Sequence, residues 1–336
     1  MKFLLIDTFN LFIRSFTSIS ALNENGEHVG GVSGSILSLY YTIKRLEPDF
    51  VFLCYEGRNS GARRRKSFHN YKDGSKSPHT ITKIESVNSE NTFWSELFLF
   101  QQLVSLLPVC PISIDNLEAD DVISFIINAF PKDEKIIVST DKDYYQLIDD
   151  NTKVYDPKNK VLIDTPYIKE KYKILPINWL IVKCFLGDKS DNIKKIKGLG
   201  IKRINKFLPE LIDREFRDLN SFLQYVKEKN DDKIFHYIND DILEDLKSNY
   251  KLMDLQNLNL SITSSEAIKN TLGSWKSEMD LINFRLLLQK NFINLEVSIS
   301  SMTLIFRRLD YESKNFNEYV RQIWTGLPRL NNQSSS

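Results

Sequence analysis

Short apolar runs alternate with longer amphipathic stretches along the first half of the chain. Three runs have the length and apolar character of buried strands: residues 3–6, 49–55 and 135–140. Three stretches between them repeat apolar residues at helical spacing: residues 33–46, 93–107 and 119–130. This alternation predicts an α/β fold with a mainly parallel central sheet flanked by helices.

The strand pattern fades beyond about residue 170, and helical periodicity then continues to about residue 290. We therefore expect three parts: an α/β region over 1–170, a helical region over 171–295 and an extension of unknown role over 296–336. Residues 57–92 lack clear apolar periodicity and carry many basic side chains. For this segment we expect a loop or an arch that orders on binding.

Composition and charge add little about partners. The chain has 336 residues, with 45 lysines and arginines against 44 aspartates and glutamates, so the net charge favours no class of ligand. Its three cysteines are far apart and form no CxxC pair, which argues against a disulfide framework or a thiolate zinc site. The apolar start is too short for a signal peptide or a membrane span. We expect a soluble cytoplasmic protein that binds no membrane.

Acidic residues follow the predicted strands at the points where those strands end. Asp7, Glu56 and Asp141 each come directly after an apolar run, and ligands bind outside the carboxyl ends of strands in open α/β sheets. Six further acids lie in short motifs: Glu118, Asp120, Asp121, Asp143, Asp188 and Asp191. The last two are three residues apart, which places both on one side of a helical turn. Helix capping and ordinary turns are the alternative explanations for these motifs.

Nine carboxylates around one pocket repel one another unless cations neutralise them. Mg²⁺ or Mn²⁺ suits such a site, because hard divalent ions take carboxylate oxygens and share coordination with water and phosphate. Two ions about 4 Å apart activate a water and stabilise the leaving oxygen of a phosphodiester. The sequence disfavours a zinc enzyme, because its histidines are not spaced as zinc ligands usually are. They are His28, His69, His79 and His236. The residues predict metal-assisted phosphodiester hydrolysis.

A basic segment follows Glu56 directly. The segment from Gly57 to Lys83 has one acidic residue after Glu56, Asp73, and eight basic residues: Arg58, Arg63, Arg64, Arg65, Lys66, Lys72, Lys76 and Lys83. A charge run is often only a solvated surface, but a position beside a strand-end acid favours phosphate binding over the acidic pocket. Phe68 and Tyr71 are aromatic side chains that can stack on unpaired bases.

A second basic segment covers residues 194–204. Its candidate nucleic-acid contacts are Lys197, Gly198, Gly200, Lys202 and Arg203. The two glycines permit a sharp turn whose N–H groups approach a phosphate, and a helix beginning near Ile201 adds its positive end. A helix–turn–helix without function fits the same residues. The segment follows the acids at 188 and 191, however, so duplex nucleic acid held here would lie beside them.

Taken in order, the motifs resemble those of the flap endonuclease and 5′ to 3′ exonuclease family, particularly its ribonuclease H members from T-even-type phages. The motifs are Asp7, Tyr55-Glu56-Gly57, Arg64 or Arg65, Tyr71-Lys72, Glu118-Ala119-Asp120-Asp121, residues 139–143, residues 187–192 and Gly198-Leu199-Gly200. The match extends to about Arg203, which is about three fifths of the chain. The ordered set is far more specific than any single motif.

This resemblance implies a PIN-like 5′ nuclease core, a helical arch (residues 57–92) over the active site and a helix–hairpin–helix clamp on duplex DNA (residues 187–206). It assigns a first metal ion to Asp7, Glu56, Glu118 and Asp120. It assigns five residues to the surroundings of a second ion: Asp121, Asp141, Asp143, Asp188 and Asp191. Lys72 matches a lysine that contacts the scissile phosphate, with Arg64 or Arg65 near it, and the clamp of relatives can also hold K⁺.

The resulting hypothesis is a metal-dependent 5′ to 3′ exonuclease and flap endonuclease with ribonuclease H activity, which removes RNA primers or 5′ flaps during DNA replication. Branched or nicked DNA and RNA–DNA hybrids are the expected substrates of a monomer, with a single-strand-binding protein or a sliding clamp as candidate partners. The family usually has aspartate where this chain has Glu56. Two alternatives stay open: a catalytically inactive structure-specific DNA-binding protein, and a PIN-like single-strand ribonuclease, which the Gly198 hairpin disfavours.

Overall fold

The computed structural model describes residues 1–68, 71–72, 89–229 and 240–325. These residues form two compact units. The described part of the first unit comprises residues 1–55, 89–114 and 260–325. That of the second unit comprises residues 56–68, 71–72, 115–229 and 240–259. Among the described candidate site residues, all except Asp7 belong to the second unit.

Three parallel strands form the sheet of the first unit, in the order β3-β2-β1. They are β1 (Lys2–Asp7), β2 (Phe50–Tyr55) and β3 (Cys110–Ser113). Leu5 lies opposite Phe52, which in turn lies opposite Cys110. Every residue of β2 is buried, as expected for a parallel strand between two others with both of its faces covered.

Helices from both ends of the chain belong to the first unit. In chain order they are α1 (Thr8–Ser18), α2 (Gly30–Leu46), α4 (Ser89–Val104), α11 (Ile262–Ser274), α12 (Leu281–Lys290), α13 (Ile299–Ser313) and α14 (Phe316–Thr325). Phe12 of α1 meets Phe93 of α4 edge to face, with ring centroids 5.3 Å apart. Phe316 of α14 stacks on Phe50 of β2, with centroids 3.6 Å apart. The predicted extension beyond residue 296 therefore contributes to a hydrophobic core.

The second unit also has three strands, in the order β4-β5-β6. Of these, β4 (Glu134–Val138) and β5 (Thr152–Asp156) are parallel, and β6 (Val161–Ile163) is antiparallel to β5. Its described helices are α3 (Ala62–Ser67), α5 (Ala119–Ala129), α6 (Thr165–Tyr172), α7 (Trp179–Leu186), α8 (Ile201–Phe207), α9 (Leu219–Lys229) and α10 (Asp240–Met253). Short 3₁₀ helices cover Lys142–Leu147, Pro176–Asn178 and Pro209–Ile212. No helix in the described ranges has the length and apolarity needed to cross a membrane.

The predicted α/β class with a mainly parallel sheet flanked by helices is confirmed. The three apolar runs coincide with β1, β2 and β4, and the three predicted helices coincide with α2, α4 and α5 within a few residues. The hydrophobic pattern does not predict β6, because three residues are too few to show a period.

Part of the first basic segment lies outside the described residues. Lys76 and Lys83 fall between residues 72 and 89, together with Asp73. The described part of the predicted arch comprises residues 57–68, 71–72 and 89–92, among them α3 and the first turn of α4.

Candidate active site

Acidic side chains mark the start of helix α5. Glu118 is the N-cap residue, and its backbone N–H donates to Asp121 Oδ2 at 3.1 Å in a capping box. These bonds explain why the helix begins at Ala119. Helix capping is thus part of what these acids do, but it engages only some of their oxygens.

Glu118, Asp120 and Asp121 form a carboxylate group that fits a metal ion. One oxygen of each side chain lies within 4.8 Å of the other two. Burial, together with the charge of Asp120, raises the pKa of Asp121 to about 6, and Arg64 and Arg63 oppose this shift. Three oxygen donors with this concentration of negative charge suit a hard divalent ion such as Mg²⁺ or Mn²⁺.

The guanidinium of Arg64 pairs with all three members of this group. Its Nη2 lies 2.9 Å from Asp120 Oδ2 and 3.2 Å from Asp121 Oδ1, and its Nη1 pairs with Glu118. Its Nε donates to the carbonyl oxygen of Leu252 at 3.2 Å, which holds the buried side chain in place. Burial by itself lowers the pKa of Arg64, but the carboxylates raise it above its usual value, so the guanidinium stays charged.

Tyr71 and Lys72 bring the arch segment to the same carboxylates. Tyr71 Oη lies 3.1 Å from Glu118 Oε2 and 3.2 Å from Asp191 Oδ2, and its proton is shared between these acceptors. Lys72 Nζ pairs with Glu118, and the Lys72 N–H donates to the Asp191 carbonyl oxygen at 3.3 Å. Lys72 has a φ of 55°, a left-handed conformation that these contacts maintain. The lysine predicted to contact the scissile phosphate therefore lies against a predicted metal ligand.

A lysine that the sequence analysis missed joins two further acids. Lys183 Nζ lies 2.6 Å from Asp143 Oδ1 and 3.1 Å from Asp188 Oδ2. Burial alone would raise the pKa of Asp188, but hydrogen bonds from Ser190 and the charge of Lys183 hold it below its usual value. Lys183 is the only charged residue of α7, whose sequence is WLIVKCFL. A lone lysine in an apolar helix is a usable sequence signal, because burying an unpaired ammonium is costly.

Asp188 and Asp191 lie in a tight turn that follows α7. The backbone N–H and C=O of Asp188 both bond to Ile193, at 3.0 and 2.7 Å, and close this turn. The helical turn that the spacing of the two acids suggested is not formed. Burial raises the pKa of Asp191, a shift that Lys72 opposes and that the charge of Asp188 reinforces.

Replacing Gly187 with alanine is expected to disrupt this turn. Gly187 has a φ of 62°, and an added Cβ would lie 2.6 Å from the carbonyl oxygen of Ile193 and from backbone atoms of Lys194 and Lys195. We expect the free energy of unfolding to fall by about 2–3 kcal/mol, measured by chemical denaturation. Gly200→Ala is the matched control, because no atom of the described residues lies within 4 Å of its added Cβ. An equal loss of stability in both variants would contradict this argument.

Two acids follow β4. Asp141 is the N-cap of the 3₁₀ helix Lys142–Leu147, and its Oδ1 accepts from the Asp143 N–H at 2.9 Å. Asp141 is exposed. Burial raises the pKa of Asp143, and the charge of Lys183 opposes this shift. Asp141 therefore caps this 3₁₀ helix, while Asp143 is a half-buried carboxylate whose charge Lys183 balances.

Glu56 and Asp7 lie at the strand ends where the sequence predicts them. Glu56 follows the last residue of β2 and is half-buried. Asp7 ends β1 in the first unit, where its Oδ1 accepts from the Asn10 N–H at 3.1 Å and caps α1. Within the second unit, ion pairs and hydrogen bonds connect Glu118, Asp120, Asp121 and Asp191 through the arch residues, and Asp143 with Asp188 through Lys183. The roles of all nine acids as metal ligands stay predictions.

Most of the predicted nucleic-acid contacts are exposed. These are Arg58, Lys66, Lys197, Gly198, Lys202 and Arg203. Arg63 and Tyr71 differ, because Arg63 pairs with Asp121 and Tyr71 is buried with its hydroxyl against Glu118 and Asp191. In the second basic segment Gly198 has a φ of 81°, and Arg203 Nη1 donates to the Gly198 carbonyl oxygen at 2.6 Å. Helix α8 begins at Ile201 after the N-cap Gly200, so the expected turn and helix start are both present.

The model of one known family matches much of this chain. It describes the 5′-3′ exonuclease N-terminal resolvase-like domain, and it matches residues 2–173. The chain belongs to the 5′-3′ exonuclease family. This membership confirms the family resemblance of the ordered motifs. The matched range includes seven of the nine predicted metal ligands, all except Asp188 and Asp191.

The similarity of this 5′-3′ exonuclease family member to individual relatives extends past residue 173. The 5′-3′ exonuclease of Halalkalibacterium halodurans is 30% identical over 212 residues, which are 59% of this chain and 66% of that protein. The thermostable DNA polymerase I of Thermus aquaticus is 30% identical over 233 residues, which are 68% of this chain and 26% of the polymerase. The chain thus spans about a quarter of the length of the DNA polymerase I relatives that it matches.

Solved structures share the fold over most of the chain. The bacteriophage T5 flap endonuclease, in a pseudo-enzyme-product complex with DNA and metal ions, has a TM-score of 0.62 at 16% identity and covers 91% of this chain and 100% of that chain. The T5 5′-exonuclease with bound zinc has a TM-score of 0.62 at 17% identity and covers 87% of this chain and 97% of that chain. These similarities confirm the PIN-like 5′ nuclease fold for this member of the 5′-3′ exonuclease family.

Proposed function

We propose that this chain is a metal-dependent 5′ nuclease with 5′ to 3′ exonuclease, flap endonuclease and ribonuclease H activity. The observation that carries the proposal is the carboxylate group Glu118, Asp120 and Asp121, with Arg64 and Lys72 beside it, in a member of the 5′-3′ exonuclease family. Carboxylates this close together repel one another. A function that needs negative charge at one point, such as holding metal ions, accounts for this arrangement.

The donor atoms of the carboxylate group fit Mg²⁺ or Mn²⁺, because all of them are oxygens. We infer two ions, with the second held by Asp141, Asp143, Asp188 and Asp191. Glu56 and Asp7 are assigned to the first ion from the family resemblance. When bound, such ions activate a water molecule and stabilise the leaving oxygen of the scissile phosphodiester.

In this proposal, lysine and arginine side chains balance the negative charge of the substrate phosphates. Lys72 and Arg64 both pair with Glu118. Lys72 is the more exposed of the two, so a phosphate would contact Lys72, while Arg64 adds its charge from a buried position. Their charge would stabilise the negative charge that develops on the phosphate oxygens. Lys183 has a different task, because it holds Asp143 and Asp188 in position and favours their ionised forms. It is a positioning residue.

Branched or nicked DNA and RNA–DNA hybrids are the proposed substrates. The similar T5 flap endonuclease forms a complex with DNA, and a relative of this chain is a DNA polymerase I. Removal of RNA primers or 5′ flaps during replication is the role that fits both similarities. The duplex would rest on residues 187–206, where Lys197, Lys202 and Arg203 are exposed, with K⁺ as a candidate ion at this clamp.

Cleavage of a 5′-labelled flap and of an RNA–DNA hybrid tests the proposed function. We expect short 5′ products with Mg²⁺ or Mn²⁺ and none with EDTA. Asp141→Asn should lose cleavage and keep flap binding, because the amide oxygen still accepts from the Asp143 N–H while the negative charge is removed. The comparison separates loss of metal binding from loss of the local fold.

Two outcomes would favour the alternative functions. Tight flap binding by the wild-type protein without cleavage at any Mn²⁺ concentration would support a structure-specific DNA-binding protein. A preference for unstructured RNA over branched DNA would support a PIN-like single-strand ribonuclease.

A further inference from the structure

Two lysines of the second unit lie against the ring of one tyrosine. Lys171 Nζ is 5.6 Å from the centroid of the Tyr172 ring, and Lys142 Nζ is 5.8 Å from it. Lys171 Nζ is also 5.0 Å from the Tyr167 ring centroid and donates to Tyr167 Oη at 2.7 Å. We name Lys142, Tyr167, Lys171 and Tyr172 the lysine–tyrosine cluster. None of the four belongs to the predicted metal ligands or nucleic-acid contacts.

Both lysines of the cluster keep their charge available. Among the described residues, neither ammonium forms an ion pair with a carboxylate, and both side chains are exposed. The hydrogen bond with Tyr167 raises the pKa of Lys171, so this group is charged at neutral pH. A cation–π contact at an exposed site is worth only about 0.5–1 kcal/mol, so it orients an ammonium without neutralising it.

The helix dipole explains the position of only one of these lysines. Lys171 lies in the last turn of α6, where a cation interacts favourably with the terminal carbonyl groups. Lys142 is the first residue of a separate 3₁₀ helix, which follows β4. No such local reason places it over the same ring. Two separate elements therefore bring positive charge to Tyr172.

The ring that orients both lysines is itself fixed. Tyr172 packs against Trp179, with ring centroids 5.0 Å apart, and against Tyr145, with centroids 6.0 Å apart. Asn205 of α8 donates to the Tyr172 carbonyl oxygen at 2.5 Å. Ordering a free lysine side chain costs up to about 2 kcal/mol, and a lysine that is already oriented loses less on binding. The cluster is therefore prepared to bind an anion.

The cluster adjoins both functional parts of the second unit. Lys142 stands in the chain between two proposed metal ligands, and Asn205 connects Tyr172 to α8, the helix of the second basic segment. The two ammonium groups share one ring as neighbour, so they are at most about 12 Å apart. Both can therefore contact phosphates of the same stretch of backbone, which would extend from the acids to the clamp.

We propose that the lysine–tyrosine cluster binds backbone phosphates in the duplex part of the nucleic-acid substrate. This inference rests on the proposed function, because it assigns a further contact to the substrate of the same nuclease. Lys142 and Lys171 each contact one phosphate, and Tyr172 holds both ammonium groups beside its ring. A duplex presents phosphates at regular spacing, which suits oriented cations better than a flexible single strand does.

Loss of both charges should weaken duplex binding in a salt-dependent way. The experiment measures fluorescence anisotropy of a labelled 5′-flap duplex in EDTA, at several salt concentrations, with wild-type protein and Lys142→Gln/Lys171→Gln. Each lost phosphate contact reduces the magnitude of the slope of log K against log salt concentration by about 0.9. For the double variant this magnitude should therefore be smaller by about 1.8, and its binding at low salt should be about tenfold weaker. A single strand of the same sequence should bind both proteins equally.

Lys227→Gln/Lys247→Gln is the matched control, because it removes the same charge from exposed positions on α9 and α10. Its salt slope should equal that of the wild-type protein. Equal slopes for wild type and Lys142→Gln/Lys171→Gln, or an equal loss in the control, would overturn the proposal. If the wild-type protein neither binds nor cleaves the flap duplex, the proposed function itself fails, so the two failures are distinguishable.

Discussion

Asp120→Asn is expected to lower the rate of metal-dependent cleavage by at least about a thousandfold. The change replaces one carboxylate of the group formed with Glu118 and Asp121 by a neutral amide of similar shape. The amide offers no charge to a divalent ion and no counterion to Arg64, which lies 2.9 Å from Asp120. A thousandfold loss corresponds to about 4 kcal/mol of transition-state stabilisation, within the several kcal/mol that a bound metal ion supplies.

The fold should tolerate this change. The Asp120 side chain is 29% exposed, and Arg64 keeps Glu118 and Asp121 as partners. We therefore expect the free energy of unfolding to change by less than about 1 kcal/mol. Single-turnover cleavage of a 5′ flap at saturating Mg²⁺ measures the rate, and urea unfolding of the same preparation measures stability.

Asp115→Asn is the matched control for this prediction. Asp115 pairs with Arg58 at 2.9 Å, but both side chains of this pair are more than half exposed. Exposed ion pairs contribute at most about 1 kcal/mol, so cleavage by this variant should be close to that of the wild-type protein. If Asp120→Asn kept more than a tenth of the wild-type rate, the carboxylate group would not be the metal site, and the proposed function would lose its main support.

His28→Gln is expected to destabilise the first unit by about 3 kcal/mol at pH 6. His28 Nδ1 lies 2.5 Å from Glu96 Oε1, and Nε2 lies 2.9 Å from the Ile19 carbonyl oxygen. Both neighbours are acceptors, so both ring nitrogens must donate and the ring must be charged. Glu96 also accepts from the Val32 N–H at 3.0 Å, and both side chains are at most 5% exposed. Without the imidazolium, a buried carboxylate loses its counterion.

This stabilisation should depend on pH. Burial alone lowers the pKa of His28, but the hydrogen bond and the charge of Glu96 raise it above its usual 6.5. The unfolded chain releases the proton near pH 6.5, whereas the folded chain releases it only at higher pH. The contribution of His28 is therefore complete below about pH 6.5 and disappears as the pH rises through the pKa of the folded state. The stability difference between wild type and His28→Gln should shrink accordingly.

Denaturant unfolding at about pH 6 and about pH 8.5 measures this difference. Glu96→Gln is the matched variant, because the amide keeps an oxygen for the Val32 N–H but removes the negative charge. The pKa of His28 should then fall below 6.5, since burial acts without the opposing charge. NMR titration detects this fall, and the spectrum of His28→Gln assigns the signal among the four histidines. A stability difference that is the same at both pH values would contradict a charged His28.

Local patterns were sufficient to locate the acids and the basic segments. Glu56 and Asp141 follow apolar runs, and the start of α5 carries Glu118, because strand ends and helix starts have local signatures in sequence. The same patterns leave Arg64 and Arg65 equivalent. In the structure Arg64 is buried against three carboxylates, whereas Arg65 is exposed. Consecutive residues of a helix point about 100° apart, and only packing decides which one faces inward.

The contacts that complete the site join residues far apart in the chain. Lys183 reaches Asp143 across forty positions, and Lys142 shares the Tyr172 ring with Lys171 across almost thirty. The same holds for the core of the first unit, where Phe316 stacks on Phe50. Hydrophobic periodicity covers one element at a time, so it cannot identify these partners.

By itself, the sequence determined the α/β class, the position of most acids at element ends and the family to which the chain belongs. These properties depend on local periodicity, on residues that start and end helices and strands, and on the order of motifs. Only the tertiary structure decided which cation meets which carboxylate, that Asp188 and Asp191 lie in a turn, and that two lysines converge on Tyr172. Burial and ion pairing are set by residues from different elements, and these become neighbours only when the elements pack.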